Sequence, residues 1–184
     1  MMKHIWPAVL LALILVFGVT GMVRGLWKEL GVTTVMLLSL FVLTFGWKQV
    51  GSRIVEAIPV ETSTATIMAL YYIIPVIFIA FIAYEGITLK FPMREMKGIF
   101  KALLGFPGGL LNGYLIVGTI WDVINQADYF GLEVPLGSTG ATVAVSSSLT
   151  SLNATIVQYL PVSFVNEFVM LLLGMILLVA IILK

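Results

Sequence analysis

The chain has 184 residues, of which 60% are hydrophobic and only 10% are charged, and its formal net charge is +1. Soluble globular domains carry far more charge, so this composition indicates an integral membrane protein. Cysteine is absent and His4 is the sole histidine, which excludes disulfides, thiolate chemistry and a usual Ser-His-Asp triad. A near-neutral chain also lacks the basic face that nucleic-acid binding requires.

Apolar stretches along the chain approach or exceed the length that a helix needs to cross a bilayer. They cover residues 5–23, 32–47, 64–89, 102–124 and 162–183. A soluble helical domain would need charged outer faces on its helices, and these stretches have none. We therefore predict an all-α membrane protein that forms a single integral membrane domain, with about five transmembrane helices.

A cluster of charged residues interrupts the apolar sequence after the first span, in "GMVRGLWKEL" at residues 21–30. Cations attract anionic lipid head groups, and tryptophan favours the membrane interface. We predict a surface anchor for the span made of four residues: Arg24, Trp27, Lys28 and Glu29. The acid of this anchor is expected to pair with a cation of the basic connection from Lys90 to Lys101.

The loop cations are distributed unequally between the two sides of the predicted bundle. One side carries Arg24, Lys28, Lys90, Arg94, Lys97, Lys101 and Lys184. The other side carries only Lys3, Lys48 and Arg53. The positive-inside rule therefore predicts that the N-terminus lies outside and the C-terminus lies in the cytoplasm.

Small residues recur at helical spacing in two of the spans. The fourth span places four residues on one face: Gly105, Gly109, Asn112 and Gly113. The first span has a shorter version in Gly21 and Gly25. Glycines at this spacing allow close helix contact, and an asparagine there can hydrogen-bond across it. The contact is either packing within the chain or a face for self-association or another subunit.

Two acids and two prolines lie within the predicted spans. Glu85 and Glu167 fall near opposite membrane surfaces, so each is either solvated or salt-bridged, or handles an ion or a proton. Pro75 and Pro107 are expected to kink their helices. His4 is expected to be solvated, with ligation of a haem or pigment as the alternative.

The longest connection, residues 125–161, contains no lysine or arginine. Within it, apolar and polar residues alternate at helical spacing over residues 145–160, which predicts a short amphipathic helix on the outer surface. Its serine-rich sequence lacks the GxSxG motif and has no base beside it. We therefore predict no enzymatic activity and no cofactor.

Three stretches carry a family resemblance. "GMVRGLWKEL" and the apolar span after it, the glycine-rich "LLGFPGGLLNGYLIVGTIWDVI", and "SSLTSLNATIVQYLP" occur in this order over roughly residues 15–161. Together they resemble the CvpA (colicin V production protein) family. The chain departs from that family in two places: "HIWPAVL" lacks an early aspartate, and "FVMLLLGMILLVAIIL" adds a fifth hydrophobic helix.

The resemblance implies a protein of the bacterial inner membrane with a non-catalytic role, either structural or in envelope homeostasis and export. It supplies no catalytic residues. Two alternatives stay open: an accessory structural subunit of a larger respiratory or photosynthetic complex, and a small transporter or channel component. The expected partners are the lipid bilayer and other membrane subunits, or a second copy of the chain bound through the glycine faces.

Overall fold

The computed structural model describes residues 5–58, 63–85, 98–127 and 158–183. Within these ranges the chain forms helices and no strand. In chain order they are α1 (Ile5–Arg24), α2 (Leu26–Ala57), α3 (Thr64–Glu85), α4 (Ile99–Gly113), a π-helical turn (Tyr114–Gly118), α5 (Thr119–Gln126), α6 (Pro161–Phe164) and α7 (Glu167–Ile182).

Three of the described helices are long and apolar enough to cross a membrane: α2, α3, and the continuous rod of α4, the π-helical turn and α5. Helices α1 and α7 are shorter and also apolar. Large apolar side chains point away from the bundle, with Ile74, Phe78 and Phe81 each more than 60% exposed. Contact with lipid explains this surface, which would be unusual in water. The predicted all-α membrane fold is therefore confirmed.

The helix boundaries differ most from the prediction in α2, which is 32 residues long and extends well beyond residues 32–47 on both sides. Its start follows Gly25, whose backbone breaks the helix. Its end, at Ala57, lies beyond the apolar part, because helical hydrogen bonding continues through the polar residues that hydropathy assigns to a loop. The predicted surface helix at 145–160 lies outside the described residues, apart from its last three positions.

Helix α2 is the centre of the bundle and packs against α3, α4 and α7, whereas α1 packs mainly along α4. Three hydroxyl side chains of α2 form hydrogen bonds to the backbone of their own helix. Thr33, Thr34 and Ser39 each donate to the carbonyl oxygen four residues earlier. These bonds satisfy the hydroxyl groups without water. The described apolar core residues with no exposed surface are Val32, Met36, Leu40, Ala69, Val76 and Met170.

The bundle has two ends, which we name by one residue each. At the Gly25 end, the junction of α1 and α2 meets the end of α3 and the start of α4. At the Lys48 end, α3 and α7 begin and α5 ends. The polar side chains described next lie near the Gly25 end.

Candidate functional site: a buried polar cluster around Glu29

A single residue, Gly25, connects α1 to α2. Its φ of 89° and ψ of 157° belong to a region that is open almost only to glycine. A Cβ at this position would also lie 3.0 Å from Cγ of Lys101 on α4. Because the helix breaks here, the residues of α2 do not continue the face that α1 presents. This change of direction places Glu29, in the first turn of α2, inside the bundle.

Glycines bring α1 and α4 into backbone contact beside this junction. A Cβ on Gly21 would lie 2.3 Å from the carbonyl oxygen of Gly105, and a Cβ on Gly109 would lie 2.2 Å from that of Phe17. Gly113 continues the contact against Phe17 and Ile14. The two glycine faces identified in the sequence therefore pack against each other within one chain.

Glu29 is fully buried, with no exposed surface. Its Oε2 accepts two hydrogen bonds, one from the Tyr84 hydroxyl at 2.9 Å and one from Nδ2 of Asn112 at 2.8 Å. Asn112 Nδ2 also donates to the backbone carbonyl of Glu29 at 2.9 Å. Thr33 completes the cluster, because its one hydroxyl proton lies between Oδ1 of Asn112 at 2.8 Å and the Glu29 carbonyl oxygen at 2.9 Å. Side chains from α2, α3 and α4 thus meet at one carboxylate.

Arg24, the last residue of α1, supplies the positive charge of the cluster. Its Nε lies 3.6 Å from Oε1 of Glu29, and its guanidinium carbon lies 4.3 Å from the centre of the Tyr84 ring. The separation of Nε and Oε1 makes the two side chains an ion pair but is too long for a hydrogen bond. Within this ion pair, Oε1 of Glu29 and Nη1 of Arg24 are buried and have no hydrogen-bond partner among the described residues.

The predicted surface anchor is wrong for one of its four residues. Arg24, Trp27 and Lys28 are partly exposed near the Gly25 end, whereas Glu29 is buried. The prediction assumed one continuous helix through residues 21–30, and the break at Gly25 turns the acid toward α3 and α4. Among the described residues, the cation that Glu29 meets is Arg24, whose Nε lies 3.6 Å from Oε1. Residues 90–97 of the basic connection, with which the acid was expected to pair, lie outside the described residues.

The two acids predicted within the spans do not join this cluster. Glu85, the last residue of α3, is exposed. Glu167, the first residue of α7, pairs at 2.6 Å with Nζ of Lys48 on α2. Both residues match the solvated or salt-bridged alternative of the prediction. His4 lies outside the described residues.

A second buried acid, Asp122 on α5, was missed by the sequence reasoning. It has no exposed surface, and its Oδ1 accepts a hydrogen bond from Nε2 of Gln126 at 2.9 Å. Its signal was present, because an acid between Trp121 and Val123 inside a predicted span, four residues before an amide, indicates a buried polar pair.

An apolar layer separates the clusters of the two buried acids. Asn112 and Asp122 lie ten residues apart on one continuous rod, which is about 15 Å along the axis. Between these levels, Met36, Leu40 and Val76 are fully buried, and they pack in one core with Leu115 and Ile116. Apolar side chains therefore fill much of the core between the two acids, with Thr119 as a buried polar residue of the rod whose hydroxyl donates to the Leu115 carbonyl.

The described residues contain no group of three histidines, cysteines, aspartates or glutamates that would hold a metal ion. The cluster around Glu29 combines a carboxylate, a guanidinium, a phenol and an amide, which are groups suited to hydrogen bonding. No family model, curated protein or solved structure matches this chain.

Proposed function

We propose that this chain is a CvpA-like protein of the bacterial cytoplasmic membrane with a non-catalytic role, structural or in envelope homeostasis and export. One observation carries the proposal: two of the three stretches that carry the resemblance are in contact. "GMVRGLWKEL" contributes Gly21 and Glu29, and "LLGFPGGLLNG" contributes Gly105 and Asn112, to one buried contact. The two stretches therefore belong to one structural unit.

The polar groups of this unit are used to hold helices together. Asn112 has donor and acceptor atoms bonded to α2, and Oε2 of Glu29 accepts bonds from α3 and α4. A buried hydrogen bond of this kind fixes the register between membrane helices. The arrangement suits a protein that acts through its folded shape and its contacts in the membrane.

The charge at the Gly25 end supports the proposed orientation. Arg24, Lys28 and Lys101 are partly exposed at that end, where cations favour the cytoplasmic side. In this orientation α1 begins outside the cytoplasm and α7 ends inside it. Association with other membrane subunits or with a second copy belongs to the same proposal. It would use surfaces other than the two glycine faces, because those contact each other within the chain.

The proposal is tested by deleting the gene from the bacterium that encodes it and measuring survival under detergent and bile-salt stress. We expect the deletion strain to be sensitive, and we expect wild type and Lys48→Gln to restore survival. Asn112→Leu should fail to restore survival, with its amount in the membrane measured alongside. A deletion strain that survives as well as its parent and exports proteins normally would contradict the proposed role.

A transporter is the competing function, and the same protein tests it in liposomes. The apolar layer between Asn112 and Asp122 disfavours a continuous polar path through the described core. We expect no ion or proton flux above that of empty liposomes. Flux that is lost in Glu29→Gln would favour a transporter over the structural role.

A further inference from the structure

In the described structure, only one of the two carboxylate oxygens of Glu29 accepts hydrogen bonds. Among the described residues, Oε2 accepts bonds from Tyr84 and Asn112, whereas Oε1 accepts none and has Arg24 Nε at 3.6 Å. A buried carboxylate with a free oxygen is costly unless that oxygen gains a partner. A proton bound to Oε1 removes the charge, and Oε2 remains a carbonyl oxygen that still accepts both existing bonds.

Charged and polar groups face Glu29 from the helices packed around it. From α1, Arg24 is the cation that faces it; from α3, Tyr84 is the titratable group; from α4, Asn112 is the polar contact, with Lys101 over the neighbouring Gly25. On its own helix, Lys28 is partly exposed nearby. In helix α7 the acid Glu167 lies at the Lys48 end, in its pair with Lys48.

Arg24 is placed to leave the pair when the charge of Glu29 is lost. Its side chain is 17% exposed, while that of Glu29 is fully buried, so the guanidinium borders the membrane surface. Its Nη1 has no hydrogen-bond partner in the described structure, and the guanidinium is held by the ion pair of Nε at 3.6 Å and by its contact with the Tyr84 ring at 4.3 Å. A long arginine side chain at a helix end readily extends toward lipid head groups.

We propose that Glu29 is a proton-binding site that opens to the Gly25 end of the bundle, and that proton uptake there releases Arg24 to the membrane surface. A proton from water forms an O–H bond with Oε1, the carboxylate becomes neutral, and no other covalent bond changes. The apolar layer beyond Asn112 limits exchange to that end, so the site binds a proton without conducting it. This inference does not depend on a role in export or envelope homeostasis.

The test is infrared difference spectroscopy of the full chain in liposomes as the pH is lowered. A protonated carboxylic acid has a C=O stretch that is separate from the carboxylate bands and shifts in heavy water. We expect an acid-induced band in the wild type that is lost in Glu29→Gln. The same band should persist in Glu85→Gln, which removes an exposed acid at the same end, and in Asp122→Asn, which removes the other buried acid.

Arg24→Gln provides an independent measurement if Glu29→Gln does not fold. Removing the facing cation disfavours the ionised form, so the band should require less acid in Arg24→Gln than in the wild type. A band that Glu29→Gln leaves intact, or that Arg24→Gln leaves unchanged across the pH range, would overturn the proposal. So would proton flux across liposomes that disappears in Glu29→Gln, because the site would then conduct.

Discussion

The contact between α1 and α4 makes a sharp prediction for Gly109→Ala. The added Cβ would lie 2.2 Å from the carbonyl oxygen of Phe17 and 3.0 Å from Cα of Gly21, whereas ordinary contacts begin at 3.4 Å. Both neighbours belong to the backbone of α1, so no side-chain rotation relieves the overlap. The helices must separate by roughly 1 Å, and we expect a loss of about 3 kcal/mol in unfolding free energy, the upper part of the usual range for overpacking.

Gly46→Ala is the matched control for this change. Gly46 is also a helical glycine, but the nearest atom to its added Cβ is the Tyr71 hydroxyl oxygen at 2.7 Å, at the far end of a side chain that can move. Both variants are compared with wild type by equilibrium unfolding in mixed detergent micelles and by size-exclusion chromatography. If Gly109→Ala unfolds at the same denaturant concentration as Gly46→Ala, the close contact between α1 and α4 is not part of the folded protein.

Three further predictions concern the junction, the exposed ion pair and the orientation. Gly25→Ala should lower the unfolding free energy by about 1–3 kcal/mol, because its backbone conformation is strained for any other residue; unchanged unfolding would refute this. Lys48→Gln should leave unfolding unchanged within error, since its side chain is 56% exposed; a marked loss would show that the pair is structural. Single cysteines at Lys97 and Ser147 should react from opposite sides of the membrane, and reaction of both from one side would contradict the proposed topology.

The helical membrane fold could be predicted because it depends on long apolar stretches, and these can be identified directly in the sequence. The glycines of α1 and α4 were also identifiable, since their four-residue spacing places them on one helix face. Whether that face packs within the chain could not be decided, because nothing in either stretch alone specifies its partner. The antiparallel contact of Gly21 with Gly105 settles that question.

The polar cluster was harder to predict, because a local break decides it. In a continuous helix, Glu29 would extend the glycine stripe to the membrane surface, which is the position predicted from the sequence. The positive φ of Gly25 changes the direction of the chain and carries the acid inside. Tyr84 had no distinguishing signal among the aromatic residues of its span, whereas Asn112 had one in its position on the glycine face.

The central claim is that Glu29 and Asn112 interact directly inside the bundle, and a double-mutant cycle measures this interaction. Unfolding free energies are compared for wild type, Glu29→Ala, Asn112→Ala and the double variant, because alanine at either position removes the hydrogen bond. Because the two side chains are joined at 2.8 Å and buried, we predict a coupling energy of about 1–3 kcal/mol. Additive effects, with a coupling below about 0.5 kcal/mol, would contradict the claim that the two motifs form one site.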